Sequence, residues 1–138
     1  MSLEDNKKMA IASWQAVGSG DWASIERVYD PNVAYHGTGP TELKGSAATI
    51  EMIKGYKAAF PDLSFKVEHC FGEGDLVVSR VVVSGTNTGE MFGTPATGKK
   101  FSMPITTIQR FANGKITEEW ESWDQTDMMR QLGVAPPA

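Results

Sequence analysis

The stretch that most constrains this fold is a predicted β-hairpin near the C-terminus, in which residues 101–111 and 115–124 are joined by Asn113-Gly114. Asn-Gly between two alternating runs predicts a type I′ turn, because both central residues of that turn need positive φ. A two-residue turn fixes the register, with Phe111 opposite Ile116. Since side chains alternate along a strand, one face is predicted to carry Met103, Ile105, Phe111, Ile116, Trp120 and, at its far end, Asp124. The other face would carry Arg110, Thr117, Glu119 and Glu121, which suits solvent or a polar interface.

Composition and charge exclude several classes of protein. The 138 residues suit one domain over 1–138, with 1–3 and 135–138 expected to fray. A net charge of −4 and a pI near 5.1 argue against a nucleic-acid partner. No apolar run approaches the roughly 20 residues of a membrane span, and the polar start is no signal peptide, so we predict a cytoplasmic protein without a membrane partner. Cys70 is the single cysteine, which excludes an intrachain disulfide, and with two histidines a zinc site is not expected.

The order of periodic segments indicates an α+β fold. Helical spacing predicts helices over 4–17, 22–29 and 46–60, and apolar or alternating runs predict strands over 33–36, 63–71 and 76–83, with a loop at 37–45. Helices followed by an antiparallel meander form one layer on one face of a sheet. We therefore expect a ligand cavity between the helices and a curved sheet.

The other face of such a sheet would stay bare. Pro104, Ile108 and Trp123 are predicted to lie on it, and a contiguous exposed apolar patch marks an interaction surface. The sequence therefore predicts a homodimer formed through the outer face of the sheet.

Motifs spread over nearly the whole chain match one protein family. They are Phe60-Pro61-Asp62-Leu63, residues 85–89 (GTNTG), 93–99 (GTPATGK) and 110–116 (RFANGKI), then Glu118, Trp120 and Asp124 at their spacing, and Gln131-Leu132-Gly133. With this combination the chain resembles the SnoaL-like polyketide cyclases of the NTF2-like superfamily. The resemblance implies an NTF2-like cone, in which N-terminal helices pack on a strongly curved, mainly antiparallel sheet and enclose a ligand cavity.

The resemblance also implies a reaction. In the cyclases the aspartate that matches Asp124 acts as general acid/base in an intramolecular aldol ring closure, without metal or cofactor, and members are commonly dimers. Many relatives carry His where this chain has Asn87, and an asparagine cannot shuttle protons. The superfamily also contains isomerases, epoxide hydrolases and binding modules, so the fold alone does not set the reaction.

Three residues are candidates for catalysis. Asp124, at the end of an apolar face, would be desolvated and could move a proton between carbon and oxygen, or it could simply cap the helix that starts near Thr126. Arg80 interrupts an apolar run and, if buried, needs an anionic partner such as Asp124 or a substrate oxyanion; alternatively it is structural or faces solvent. His36 ends a short strand before a Gly-rich loop, where it could transfer protons or serve as a hydrogen-bonded structural residue. His69 is expected to pack in the core or at an edge.

Large apolar side chains are candidates for a pocket wall. Trp14, Tyr56, Phe60, Met103 and Trp120 could bind a flat, partly apolar molecule, although aromatic residues at such spacing also build ordinary cores. Glu118 would be either a second pocket acid or a partner for a histidine or arginine. We expect Trp120→Ala to remove about 3–5 kcal/mol of stability if Trp120 is a core residue.

Together these features favour a cofactor-independent, SnoaL-like enzyme that acts on a small cyclic or polyketide-like carbonyl compound. There are two alternatives. One is an epoxide hydrolase or double-bond isomerase that uses the same cavity, and the other is a non-catalytic dimeric ligand-binding module. In the last case Asp124 would be only a helix cap.

Overall fold

The computed structural model describes residues 1–134. Its elements follow the chain as α1 (Leu3–Ser19), α2 (Trp22–Val28), β1 (Tyr29–His36), β2 (Glu42–Lys44), α3 (Ser46–Ala59), β3 (Ser64–Glu73), β4 (Leu76–Thr86), β5 (Lys100–Ala112), β6 (Lys115–Ser122) and α4 (Gln125–Leu132). The predicted α+β architecture is confirmed. None of the helices within 1–134 is long and apolar enough to cross a membrane.

The strands form one sheet in the order β2-β1-β6-β5-β4-β3. All neighbours are antiparallel except β1 and β6, which run parallel, so the sheet is mixed and mainly antiparallel. α1 packs across β3 and β4, α3 lies against β1, and α4 lies against β5. The core between helices and sheet is apolar, and its fully buried members include Ala10, Ile25, Val33, Ala59, Phe60, Val77, Val81, Ile116 and Leu132.

The predicted register of the C-terminal hairpin is right at the turn and wrong beyond it. Phe111 lies opposite Ile116, but Arg110 lies opposite Glu118, so Thr117 is an extra residue in β6. Such a β-bulge sends every later side chain of the strand to the opposite face. Trp120 therefore lies opposite Ile108 instead of Thr107.

A second bulge changes β3 in the same way. Its register shifts between Val67 and His69, so Cys70 faces inward while Phe71 is 59% exposed. His69 lies exposed on the outer face of the sheet, opposite Arg80. Since β3 is an edge strand, the edge position is the right one of the two alternatives expected for His69, and the core position is wrong.

The ends of several elements also differ from prediction. β1 begins directly after α2, so Tyr29–Pro31 are strand residues, and β2 lies within the expected loop at 37–45. At the start of the chain, Ser2 caps α1 through a capping box with Asp5. The expectation that 135–138 fray lies outside the described residues.

Candidate functional site

A cavity opens between the helices and the inner face of the sheet. About 790 Å³ is free of atoms when the solvent at its open mouth is counted. Most of the wall is apolar and aromatic, with contributions from Trp14, Val17, Ile25, Met52, Ile53, Tyr56, Phe60, Leu63, Phe65, Val83, Phe101, Met103, Ile105 and Met128. The polar side chains in the wall are Ser13, Gln109, Glu119, Glu121 and the tyrosines Tyr29 and Tyr35, and none of the lining residues is a lysine, arginine or histidine.

The bulge in β6 turns two carboxyls into this cavity. Glu119 is 2% exposed and accepts hydrogen bonds from the Tyr29 hydroxyl at 2.8 Å and the Gln109 side-chain amide at 2.9 Å. Burial raises the pKa of Glu119, although both donors favour its charged form. Tyr29 is buried beside it, and burial followed by the Glu119 charge raises the pKa of the Tyr29 hydroxyl.

Glu121 is the carboxyl most suited to chemistry. Burial and, next, the neighbouring Glu119 raise the pKa of Glu121 to about 8, while hydrogen bonds from the side chains of Tyr35 and Trp123 act in the opposite direction. Burial also raises the pKa of the Tyr35 hydroxyl, so that group stays protonated as a donor. A carboxyl whose pKa lies near neutrality can both accept and return a proton at physiological pH.

Two buried polar atoms of the wall have no partner among the described residues. They are the indole Nε1 of Trp14 and Oε1 of Gln109. A buried donor or acceptor left unpaired is unfavourable by about 1–3 kcal/mol, so a bound molecule with matching polar atoms would gain from pairing them. Such atoms point to a ligand that is mainly apolar and carries a few carbonyl or hydroxyl groups.

The structure places some of the predicted binding residues in the cavity wall. Trp14, Tyr56, Phe60 and Met103 line it, and Trp123, which we expected on the outer face, lines it too. Trp120 lies on the outer face instead, because the bulge reverses the direction of its side chain. It is half-buried there, so the expected core role of Trp120 is wrong.

Asp124 does not lie on an apolar wall. It is exposed, and its carboxylate caps α4 by accepting a hydrogen bond from the Asp127 backbone N–H at 2.9 Å. The expectation of a desolvated Asp124 is wrong, and the alternative that it caps the following helix is right. The physical reason is the bulge at Thr117, which shifts the inward positions of β6 to Glu119 and Glu121.

Arg80 and His36 both lie on the outer face of the sheet. Arg80 is exposed, so it does not need the buried anionic partner that we expected. The His36 ring lies between two carboxylates, with Nδ1 at 2.5 Å from Glu42 and Nε2 at 2.8 Å from Glu118, and it stacks on Trp120. The hydrogen bond to Glu118 is the largest cause of a raised His36 pKa. Neither residue reaches the cavity.

Asn87 has a structural role in place of proton transfer. It is 1% exposed, its amide donates to the Gly89 carbonyl at 2.8 Å, and it accepts from the Thr97 backbone N–H at 2.9 Å. These bonds close the base of the loop between β4 and β5. Within residues 1–134, no group of three or more His, Cys, Asp or Glu side chains is arranged to hold a metal ion.

The sequence reasoning missed Glu119, Glu121 and Tyr35. The sequence did contain one sign of them, the consecutive acids Glu118-Glu119 in an alternating strand. With strict alternation one of the two faces inward: either Glu118 is buried while Glu119 and Glu121 are exposed, or the reverse. Distinguishing these alternatives requires the position of the bulge, which neighbouring strands decide.

Comparisons with known proteins identify the family of the chain. A family model described as SnoaL-like polyketide cyclase matches residues 8–132. The aklanonic acid methyl ester cyclase DauD of Streptomyces sp. (strain C5) is 31% identical over 97 residues, which are 70% of this chain and 60% of DauD. The match thus spans less than two thirds of the length of that relative.

Solved structures share the entire architecture. AclR of Streptomyces galilaeus, a candidate hydroxylase, is 27% identical with a TM-score of 0.86 over 99% of this chain and 86% of AclR. IdmH of Streptomyces antibioticus, a candidate polyketide cyclase, is 28% identical with a TM-score of 0.82 over 94% of this chain and 99% of IdmH. Because similar chains are described with different reactions, the reaction has to be argued from the cavity.

Proposed function

Because this chain belongs to the SnoaL-like polyketide cyclase family, we propose that it is an enzyme that closes a ring in a small polyketide-like carbonyl compound. The observation that carries the proposal is a pair of carboxyls, Glu119 and Glu121, in the wall of a mainly apolar cavity. In this proposal Glu121 is the general acid/base. Glu119 is a positioning residue: Tyr29 and Gln109 hold its carboxyl by hydrogen bonds, and its charge contributes to the raised pKa of Glu121.

The proposed reaction is an intramolecular aldol addition. With a pKa of about 8, roughly a tenth of Glu121 is ionised at pH 7, and this carboxylate removes a proton from a carbon next to a carbonyl group. The resulting enolate carbon attacks a second carbonyl carbon of the same molecule, which forms the new carbon–carbon bond and leaves an alkoxide. The protonated Glu121 then returns its proton to that oxygen, so no atom or electron is gained or lost.

The surroundings of Glu121 support this assignment. The Trp14 N–H, which has no partner among the described residues, is a donor that could hold the oxygen on which charge develops. Without a cation among the lining residues, the cavity favours uncharged substrates. We propose an ester or ketone in place of a free acid, in keeping with the methyl ester named for DauD.

Two amide substitutions test the proposal. Glu121→Gln should lower turnover of a cyclising substrate by about 10²-fold or more, the usual contribution of a positioned general acid/base. Asp124→Asn makes the same chemical change outside the cavity and keeps the cap, since Asn caps about as well as Asp, so turnover and stability should stay within error. Turnover is measured as ring closure of polyketide methyl esters, with aklanonic acid methyl ester first.

The outcomes separate enzyme from binding module. Full activity in Glu121→Gln would rule out Glu121 as the acid/base. Loss of activity in Asp124→Asn instead would indicate that Asp124, and not Glu121, is the general acid/base. If no substrate of the series is turned over while ligands bind, the binding-module alternative is favoured.

We also propose that the outer face of the sheet pairs with a second copy of the chain. One cross-strand row, His36–Trp120–Ile108–Val78–Phe71, crosses five strands. Ile108 and Phe71 in this row are 38% and 59% exposed, which is unusual for large apolar side chains unless a partner covers them.

The position of Ile108 suits a two-fold interface. It lies on β5, one of the two central strands of the sheet, so a two-fold axis near the middle of the sheet would bring the Ile108 side chains of both protomers together. Sedimentation at micromolar concentration should show a dimer, and Ile108→Lys should shift it toward monomer. A wild-type monomer at that concentration contradicts the proposal.

A further inference from the structure

The loop between β4 and β5 carries a turn with an unfavourable residue at its tip. Met91 and Thr94 exchange backbone hydrogen bonds at 2.9 Å, and the two residues between them, Phe92 and Gly93, have φ of 46° and 86°. This is the pattern of a type I′ turn, which favours Asn-Gly because side chains other than Asn or Asp rarely adopt positive φ. An aromatic residue at this position is an outlier.

The molecule contains its own reference for this turn. Asn113 and Gly114, with φ of 52° and 75°, join β5 to β6 with the favoured sequence. Asn113-Gly114 serves only to reverse the chain. Since Phe92 holds the same backbone conformation at a conformational disadvantage, its ring is expected to have a role of its own.

The Phe92 ring lies beside the cavity, in contact with one of the aromatic side chains of its wall. It packs edge-on against Tyr56, with ring centroids 5.0 Å apart, and occupies the space that a side chain at Gly55 would fill, since a Cβ there would lie 2.6 Å from the ring. Tyr56 in turn meets Trp123 edge-on at 6.2 Å, and both of these rings line the cavity. Phe92, Tyr56 and Trp123 therefore form a continuous row of aromatic contacts that leads from the β4–β5 loop to the cavity wall.

The loop is built to hold the ring in this place. Its base is closed by buried Asn87, Met91 is 6% exposed, and the Gly89 backbone N–H donates to the Ala59 carbonyl at the end of α3 at 3.1 Å. Yet Phe92 itself remains 61% exposed, so one face of its ring is available for a further contact.

We infer that Phe92 is a specificity-determining residue, against which the outer part of a flat, uncharged, polycyclic ligand stacks when its inner part fills the cavity. The inference rests on the proposed function for the kind of ligand, but it concerns binding and does not depend on Glu121. A single-ring ligand would fit within the wall and would not reach Phe92. Selectivity for several fused rings over one ring is therefore the property that Phe92 supplies.

Two substitutions test this without weakening the fold. Phe92→Asn gives the turn the same Asn-Gly sequence as residues 113–114, and Gly55→Ala places a methyl where the ring lies and improves the propensity of α3. Melting temperatures should therefore be unchanged or higher for both. Binding is measured by quenching of tryptophan fluorescence with two probes, 1,8-dihydroxyanthraquinone with three fused rings and methyl salicylate with one.

The expected result is a loss confined to the larger probe. Removing one edge or face contact between aromatic rings should raise the Kd of the anthraquinone by about tenfold, and the Kd of methyl salicylate by less than about twofold. Equal changes for both probes, no change for either, or failure of the wild type to bind the anthraquinone would overturn the inference. Asp124→Asn, which lies outside the cavity, should bind both probes like the wild type. A failure of the proposed catalytic role would appear separately, in the turnover of Glu121→Gln.

Discussion

The two faces of strand β6 place the same kind of side chain in opposite environments. On the outer face Glu118 lies beside the His36 imidazole at 2.8 Å and the Arg110 guanidinium at 3.7 Å, partly open to water. On the inner face Glu119 and Glu121 meet hydroxyl and amide donors but no cation. The outer glutamate thus has cationic partners, whereas burial on the inner face favours the protonated form of both acids.

This contrast shows how one strand separates structure from chemistry. A charged pair at the surface contributes little to stability and none of the proton transfer that a cavity needs. Buried carboxyls reduce stability at neutral pH, but their raised pKa values lie closer to the pH at which proton transfer takes place. Three experiments sharpen or break the comparison.

The largest expected effect comes from truncating neighbouring residues on the two faces. Glu119→Ala leaves the Tyr29 hydroxyl and the Gln109 amide without their acceptor in a buried site, which should lower the free energy of unfolding by about 2–4 kcal/mol. Glu118→Ala should lower it by less than about 1 kcal/mol, since its pairs are partly exposed. Urea titrations at pH 7 measure both, and similar losses would show that the two faces do not differ as described.

A smaller effect concerns the pH dependence of stability on the inner face. The pKa of Glu121 rises from about 4.5 in the unfolded chain to about 8 in the folded one, so its contribution is complete below pH 4.5 and is lost as pH rises toward 8. The loss is at most about 1.4 kcal/mol per pH unit, and less because the cavity is open to water. Glu121→Gln should remove this loss of stability, so the free energy of unfolding of the variant should exceed that of the wild type by about 2 kcal/mol at pH 9.

Urea titrations from pH 4.5 to 9 give this slope directly. His36→Gln is the control, because it alters the outer face and should keep the slope between pH 4.5 and 6.5. A wild type whose stability does not fall with pH in this range would mean that Glu121 is not desolvated.

The smallest effect belongs to the outer face. Hydrogen bonds to Glu118 and Glu42 raise the pKa of His36 above its ordinary value of 6.5, so its stabilising contribution is complete below pH 6.5 and disappears as pH rises through the folded value. His36→Gln should therefore be less stable than the wild type by about 0.5 kcal/mol at pH 6 and equal to it at pH 9. Melting curves at the two pH values measure the difference, and a deficit that persists at pH 9 would indicate lost stacking on Trp120 instead.

Local signals in the sequence were sufficient for most of the fold. Helical spacing predicted α1 and α3, Asn113-Gly114 predicted the last hairpin, and the change of period near Leu63 predicted the meander. The motifs predicted the family. Among the pocket residues, Trp14, Tyr56, Phe60 and Met103 were correctly expected inside, because large apolar side chains on a helix or strand point to the core whatever the details of register.

The prediction of the site was wrong because of one residue, Thr117, which forms the bulge in β6. A strand with strict alternation would bury Trp120 and carry Asp124 to the cavity, and nothing within β6 alone excludes that arrangement. A bulge is decided by how β6 pairs with β5 on one side and with β1 on the other, where Tyr29 lies opposite Ile116 and His36 opposite Trp120. The same long-range pairing brings Tyr35 beside Glu119.

The sequence by itself determined the elements, the α+β class and the family, because these follow from periodicity, turn residues and motifs within short stretches of chain. Only the tertiary structure decided which carboxyl enters the cavity. Since successive side chains of a strand point to opposite faces, one inserted residue exchanges the interior for the surface, and its position depends on strands far apart in the chain. Glu121 was thus brought inside and Asp124 was left as a helix cap.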